Sequence, residues 1–397
     1  MKRIPVDVDA QLERARELAE RLHVMVEDRS FYALPRREQR ALIGEIKRAY
    51  GRLYEHHLPS VPVGAALLSL FAATAPVEAE DPSFSSPRAN PFGLQVPEEA
   101  AYYGVFSFAD LDADGDLDFT TFDIYEGPLV LWNQGSARRA SFGGEPEPLA
   151  NYGLSFTDEE SSYYNLLQGF TDIDGDGDLD AVQIDVGVYD YDATVDFIAN
   201  EGSATDPRFR GRSITSIPLD LRYGYFAAYG TLRTADIDAD GDVDAFFGYT
   251  TYNDEDYRYS KLLFFENTGT PRSPRWAQPV ADPFNSDLWN IDPLYFAELY
   301  LTRLAIADLD DDGDYDLVVG GYGEYYEKPT MVFIRNEGSA SDPQFGEYLE
   351  EPFGLVPPRR ADYVLAQPLF VDLDDDGDLD AIYGADYDGT VFYSENR

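Results

Sequence analysis

Nine residues recur five times along this chain, at 110–118, 172–180, 236–244, 308–316 and 372–380. They read DLDADGDLD, DIDGDGDLD, DIDADGDVD, DLDDDGDYD and DLDDDGDLD, and their starts lie 62, 64, 72 and 64 residues apart. Aspartate stands at positions 1, 3, 5, 7 and 9 of every copy, with glycine at position 6. A solvated acidic turn is as good a reading as any for one such run, but five in fixed phase need a common cause. Hard divalent cations take about six to eight oxygen ligands, and alternate carboxylates leading into a sharp glycine turn can supply them. Position 6 asks for a backbone conformation that glycine adopts most cheaply.

The candidate metal-binding residues follow directly. They are Asp110, Asp112, Asp114, Asp116 and Asp118 in the first copy, and Asp172, Asp174, Asp176, Asp178 and Asp180 in the second. The third copy offers Asp236, Asp238, Asp240, Asp242 and Asp244, and the fourth Asp308, Asp310, Asp312, Asp314 and Asp316. Asp372, Asp374, Asp376, Asp378 and Asp380 make up the last. An EF-hand loop opens in the same way, but these copies carry Asp at position 9 and no Glu at position 12, so the loops are shorter and need no flanking helices.

Around each copy the pattern is strand-like. An apolar run enters the loop, as in TRLAIA, and a second leaves it, as in DLVVGGY. A third, such as TMVFIRN, ends at Asn133, Asn200, Asn267 or Asn336 with glycine two residues later. A Pro-x-aromatic step then starts a fourth strand at Pro207/Phe209, Pro274/Trp276 and Pro343/Phe345, with only Phe142 in the first copy. Four short antiparallel strands per repeat of this length are the signature of a β-propeller blade. The last repeat stops at Asn396-Arg397, where its fourth strand is due, and EDPSFSSPRANPFGL (80–94) parallels SDPQFGEYLEEPFGL (341–355). The expected fold is therefore all-β: a five-bladed propeller over 80–397, closed by exchange of an N-terminal strand.

Residues 1–60 differ in character, with all three histidines and helical spacing of Leu12, Ala15, Leu18, Ala19 and Leu22. They read as a short α-helical segment, with helices near 9–27 and 35–56. An apolar stretch follows within 61–79, short for a membrane span and suited to a signal-peptide core, with Val77-Glu78-Ala79 as an acceptable cleavage site. Export is the expectation. A membrane anchor through 61–76 and a misplaced start are the alternatives.

The chain carries 75 Asp plus Glu against 30 Lys plus Arg, for a formal net charge of −45. That excludes nucleic acid as a partner of the main body, since phosphates demand a basic surface. A halophile-like acidic surface would explain the carboxylates outside the loops equally well. With no cysteine there is no disulfide framework, and metal ions are the natural substitute.

The Asp loops on four-stranded blades resemble the FG-GAP and VCBS repeats of integrin α-chain propellers and bacterial surface proteins. The resemblance spans about residues 80–397; YGADYDG (383–389) and VVGGYG (318–323) are the nearest matches to the wording of the motif. It implies one calcium ion, Ca²⁺, between the first two strands of each blade. The ligands would be the side chains of positions 1, 3, 5 and 9 and the carbonyl of position 7. Asp at position 7 is extra to that scheme.

In up-and-down blades the aspartate loops share one face with the asparagine turns. The opposite face then receives tyrosine-rich acidic loops, with Tyr252, Tyr257, Tyr325 and Tyr326 as candidate contacts for a sugar or a protein. Equally, those tyrosines cap blade edges and the acids solubilise them. Residues 80–397 hold no histidine, cysteine, nucleophile elbow or phosphate loop, so no catalytic residue is assigned. The expected function is a secreted or cell-surface calcium-binding module for a protein or carbohydrate partner. The alternatives are a polysaccharide-active enzyme using propeller carboxylates and a self-assembling surface protein.

Overall fold

The computed structural model describes residues 81–97, 105–123, 125–154, 163–187, 193–219, 230–252, 258–270, 272–281, 283, 299–323, 328–350, 352–355, 365–385 and 389–397. The chain divides into two compact units, residues 79–374 with 379–397 and residues 1–78 with 375–378. The helices expected in 1–60 and the apolar segment of 61–79 lie outside the described residues. No helix among the described residues is long and apolar enough to cross a membrane.

The first unit is a five-bladed β-propeller, opened by β1 (Arg88–Ala89). Blade 1 is β2 (Phe106–Ala109), β3 (Asp118–Asp123), β4 (Gly127–Leu131) and β5 (Glu147–Pro148). Blade 2 is β6 (Tyr163–Thr171), β7 (Asp180–Gly187), β8 (Ala193–Asn200) and β9 (Phe209–Leu219). Blade 3 is β10 (Thr231–Ala235), β11 (Asp244–Tyr252), β12 (Arg258–Phe265) and β13 (Val280–Ala281). Blade 4 is β14 (Leu299–Ala307), β15 (Asp316–Gly323), β16 (Lys328–Asn336) and β17 (Phe345–Glu350). Blade 5 takes β18 (Leu365–Val371), β19 (Asp380–Ala385) and β20 (Val391–Ser394), and its outer strand is β1. All pairings are antiparallel.

The middle strands are buried on both faces because each blade is covered by a neighbour on either side. Every residue of β3 is buried, and Leu317, Val318 and Val319 of β15 are wholly so. The core accordingly lies between blades. Leu111, Val130, Ile198 and Phe209 pack blades 1 and 2 together. Ile173, Val182, Phe197 and Phe247 join blades 2 and 3, and Ile237, Phe246, Leu304 and Val332 join blades 3 and 4. Leu309, Phe333, Tyr383 and Phe392 continue the series to blade 5, and Leu373, Ile382, Phe106 and Phe119 complete it back to blade 1.

Polar groups on the inner strands add ties across the same seams. Gln168 accepts from the Leu232 N–H at 3.0 Å, Arg303 donates to the Gly230 carbonyl at 3.3 Å, and Gln367 donates to the Phe106 carbonyl at 3.3 Å. Each polar side chain thereby satisfies a backbone group of the neighbouring blade.

Three outer strands are shorter than the sequence pattern suggests, β1 among them with two residues. β5 and β13 have two residues each, against eleven in β9. Pro146 and Pro148 stand in and beside β5, and Pro279 immediately before β13. Proline has no N–H to give to a ladder. Phe142 accordingly precedes the outer strand of blade 1 without forming part of it.

Closure follows the expected exchange in detail. Ser83 donates its N–H to Asn396 Oδ1 at 3.0 Å, as Arg208 does within blade 2 to Asn200 Oδ1 at 2.8 Å. Phe84 bridges Asn396, and Ser85 donates to the Glu395 carbonyl at 2.8 Å. The PFGL segments that follow fold alike: Phe92 and Phe353 take left-handed φ of 55° and 53°, and Leu94 and Leu355 each donate back to a proline carbonyl at 2.8 Å. A chain beginning at residue 98 would leave β20 as an unpaired edge, which invites pairing with other chains. Size-exclusion chromatography should show it as aggregate where a chain beginning at residue 80 runs as a monomer; equal monomeric behaviour would contradict this closure.

Candidate functional site: the aspartate loops

Each loop leaves the innermost strand and returns as the second. Its position 2 is apolar, and Leu111, Ile173, Ile237, Leu309 and Leu373 are all buried. Each joins the core between its own blade and the next. Aspartates on either side are thereby turned outward, toward the loop interior.

Position 1 then organises the turn. Asp110 accepts from the N–H groups of Asp114 at 3.0 Å and Gly115 at 3.1 Å, and Asp236 repeats the pattern with Asp240 and Gly241. At position 6 the glycines have φ from 95° to 102°. A Cβ built on Gly177, Gly241 or Gly313 meets nothing within 4 Å, so backbone conformation and not space demands glycine there. Position 4 is left-handed too, with φ of 52° at Ala113, 57° at Ala239 and 59° at Asp311. Such residues cost about 1–2 kcal/mol each in that conformation, and Gly175 of the second copy, with φ of 65°, is the sequence's one sign of it.

Position 9 holds the loop to the rest of the blade. Asp118 accepts from Leu111 N–H at 3.1 Å and from Asn133 N–H at 2.8 Å. Asp180, Asp244, Asp316 and Asp380 do the same with Ile173 and Asn200, Ile237 and Asn267, Leu309 and Asn336, and Leu373 and Asn396. The asparagine passes the order on: Asn267 Oδ1 accepts from Gly269 at 3.1 Å and Arg275 at 2.8 Å, fixing the entry to the fourth strand. The aspartate loops and asparagine turns therefore do share one face.

In the four loops that lie wholly in the propeller, the structure brings positions 1, 3 and 9 together. Asp110, Asp112 and Asp118 offer oxygens within 4.8 Å of one another, as do Asp172, Asp174 and Asp180, Asp236, Asp238 and Asp244, and Asp308, Asp310 and Asp316. Position 5 stands beside each group, with Asp114, Asp176, Asp240 and Asp312 accepting from the position 7 N–H at 3.1–3.3 Å. Position 7 turns inward: Asp116, Asp242 and Asp314 are buried, each with an Oδ1 that has no hydrogen-bond partner. Of the fifth loop, Asp372, Asp374 and Asp380 belong to the propeller unit.

Crowding these carboxylates has an electrostatic consequence. Burial lifts the Asp118 carboxyl to about 8, against the pull of the Asn133 and Leu111 N–H groups and with repulsion from Asp112 and Asp116. Asp316 is likewise raised to about 8, and burial raises Asp180 and Asp244 to about 7. The orphaned buried oxygens and the all-oxygen donor set fit a hard divalent cation. They do not suit a soft thiolate-seeking metal, for the chain has no cysteine.

A second acidic group lies on the blade 2 sheet, on the side that carries Ala181 and Ile198. Asp185 lies within hydrogen-bonding reach of Asp196, and burial first and this neighbour second raise its carboxyl to about 7. Gln183 donates to Asp185 at 3.2 Å; Thr194 at 2.9 Å, Ser213 at 3.2 Å and Ser216 surround Asp196. Of the candidate tyrosines, Tyr252 closes β11, while Tyr257, Tyr325 and Tyr326 lie outside the described residues.

No protein-family model matches the chain, and no curated protein matches it in sequence. Among solved structures it is similar to BBS1N, from the crystal structure of BBS1N in complex with ARL6DN soaked with lead. That likeness has 8% identity and a TM-score of 0.32, and covers 80% of this chain and 97% of that one.

Two outcomes test this geometry. Asn267→Ala strands two backbone N–H groups beside a buried turn, and should lower unfolding free energy by about 1–3 kcal/mol in denaturant titration. Asp185 has its folded pKa raised to about 7, by burial first and by Asp196 second. Between the ordinary carboxylate value and 7 the folded chain therefore holds a proton that the unfolded chain releases. Stability falls as pH rises through that window, and the loss is complete above it. At saturating calcium, melting temperatures at pH about 5 and about 8 should converge in Asp185→Asn relative to the parent.

Proposed function

We propose that the protein is an exported calcium-binding β-propeller of FG-GAP and VCBS type, serving as a binding module for a protein or glycan. One observation carries the calcium reading. Four separate loops gather the carboxylates of positions 1, 3 and 9 within 4.8 Å, while position 7 adds buried unpartnered oxygens. Carboxylates held this closely oppose folding unless a cation or protons neutralise them. Side chains of positions 1, 3, 5 and 9 and the position 7 carbonyl would hold the ion, and calcium would supply the missing charge. Its role on this reading is architectural, because the loops anchor the seams between blades.

The binding reading draws on the face opposite the loops. A strand of about five residues spans some 17 Å, so a partner on that face would sense calcium only through blade geometry. Tyrosines of the second-to-third-strand loops, Tyr252, Tyr257, Tyr325 and Tyr326, are the proposed contacts, for they give broad contact area at low entropic cost. The enzyme alternative gains nothing from Asp185 and Asp196. Hydrogen-bonded carboxyls are closer than the roughly 5 Å or more that glycoside hydrolysis uses.

Elemental analysis of the purified chain should find about five calcium ions, matching the number of loops. Stripping them should lower the melting temperature sharply, since each site at a hundred times its Kd adds about 2.7 kcal/mol. No bound metal together with an unchanged melt in chelator would end the calcium reading.

A further inference from the structure

One position next to the loops changes its charge from blade to blade. The residue just before the turn asparagine is Trp132, Ala199, Glu266, Arg335 and Glu395 in blades 1 to 5. Only in blade 4 is it basic, and there it reaches the loop. Arg335 Nη1 lies 2.6 Å from Asp310 Oδ2, at position 3 of the fourth loop. Asp310 has no exposed surface, whereas Asp112, Asp174 and Asp238 at the same position are half-buried. The other end of the guanidinium, Nη2, lies 2.8 Å from Asp81 Oδ1 on the segment that closes the ring. The Phe333 ring, with its centroid 5.7 Å from Arg335 Cζ, gives the guanidinium a third support.

A guanidinium stays charged at every accessible pH, so this loop carries its own counter-charge on a ligand oxygen. We propose that Arg335 is a built-in competitor for the cation of the fourth loop, making 308–316 the weakest divalent-cation site in the chain. The inference rests on the calcium reading above. An incoming cation must take Asp310 from Arg335 and then tolerate a like charge beside it. In loop 3 the corresponding Glu266 instead adds negative charge near Asp242. Asp311, extra to the fourth loop, returns one negative charge but leaves the Asp310 oxygen in the hold of the guanidinium. Through Asp81, the same arginine ties this site to the closing strand of blade 5.

Calcium titration of the metal-stripped full chain by calorimetry tests the proposal. The parent should show one step at least about tenfold weaker than the rest. Arg335→Met should strengthen that step by about tenfold or more, while Arg335→Lys, which keeps the charge, should leave it weak. Asp310→Asn should remove the weak step and spare the tight ones. Should Arg335→Met fail to fold, Arg335→Gln removes the same charge with a polar tip. Asp81→Asn cuts only the outer contact, so the weak step should persist. An isotherm unchanged by loss of the Arg335 charge would overturn the proposal, as would a tight step lost in Asp310→Asn or a weak step strengthened in Asp81→Asn. A parent chain that takes up no cation would instead overturn the calcium reading itself.

Discussion

The aspartate at position 9 is where the blade's local order converges. Asp244 takes the Asn267 N–H on one oxygen and the Ile237 N–H on the other. One side chain thus joins the entrance of the loop, the start of the second strand and the end of the third. These backbone donors lie where no ladder can reach them, and leaving buried N–H groups unpaired is costly. A neutral acceptor could fill part of this role. A carboxylate does more, because charge-assisted bonds are about twice as strong as neutral ones. Its cost is a buried negative charge, repeated in every blade. The hydrogen-bond frame and the fit of the loops to a hard divalent cation therefore have one origin.

Position 2 carries that local order into the ring. Ile237 is the neighbour of Asp236 and Asp238 in the chain, yet its side chain lies in the core between blades 3 and 4. Fully burying such a side chain contributes about 1.5–3 kcal/mol. Any repulsion that spreads the loop pulls on this anchor, and any cation that draws the carboxylates inward seats it. Closure uses the same frame, since Asn396 is completed by Ser83 from the far end of the chain. Blade 5 thus depends on the N-terminal segment for a bond that every other blade makes from the residues leading into its own fourth strand.

Much of this was legible in the sequence, for identifiable reasons. Repetition of the nine-residue phrase, with strand-like runs at constant offsets, set blade number and strand order. The likeness of 80–94 to 341–355 revealed how the ring closes, and the structure adds that Phe92 and Phe353 share a left-handed conformation. The lengths of β5 and β13 were less visible, because prolines truncate a ladder in a way that strand count does not register. Position 4 was only partly visible: Gly175 marks it in the second copy, while Ala113 and Asp311 take the same left-handed conformation without being glycine. The position 2 signal was present, as Leu or Ile between aspartates, but the metal pattern around it obscured its packing role. Arg335 was invisible in principle. Its partners Asp310 and Asp81 lie 25 and 254 residues away along the chain, and only the fold brings them together.

The repeat therefore leads to equal frames but unequal sites. Position 9, the asparagine and the position 6 glycine are constant because each is fixed by backbone bonds or backbone conformation. The residue before the asparagine has no such duty, and its side chain is left to vary beside the carboxylates. Arg335 meets Asp310 there, and Glu266 adds its charge near Asp242. In blade 5 the neighbouring strand contributes instead, with Tyr393 donating to Asp380 at 3.0 Å. A loop's affinity for a cation depends on the balance between its ligand charges and the charges just outside them. Five loops of nearly one sequence can thus differ in binding strength without any change to the residues that would touch the ion.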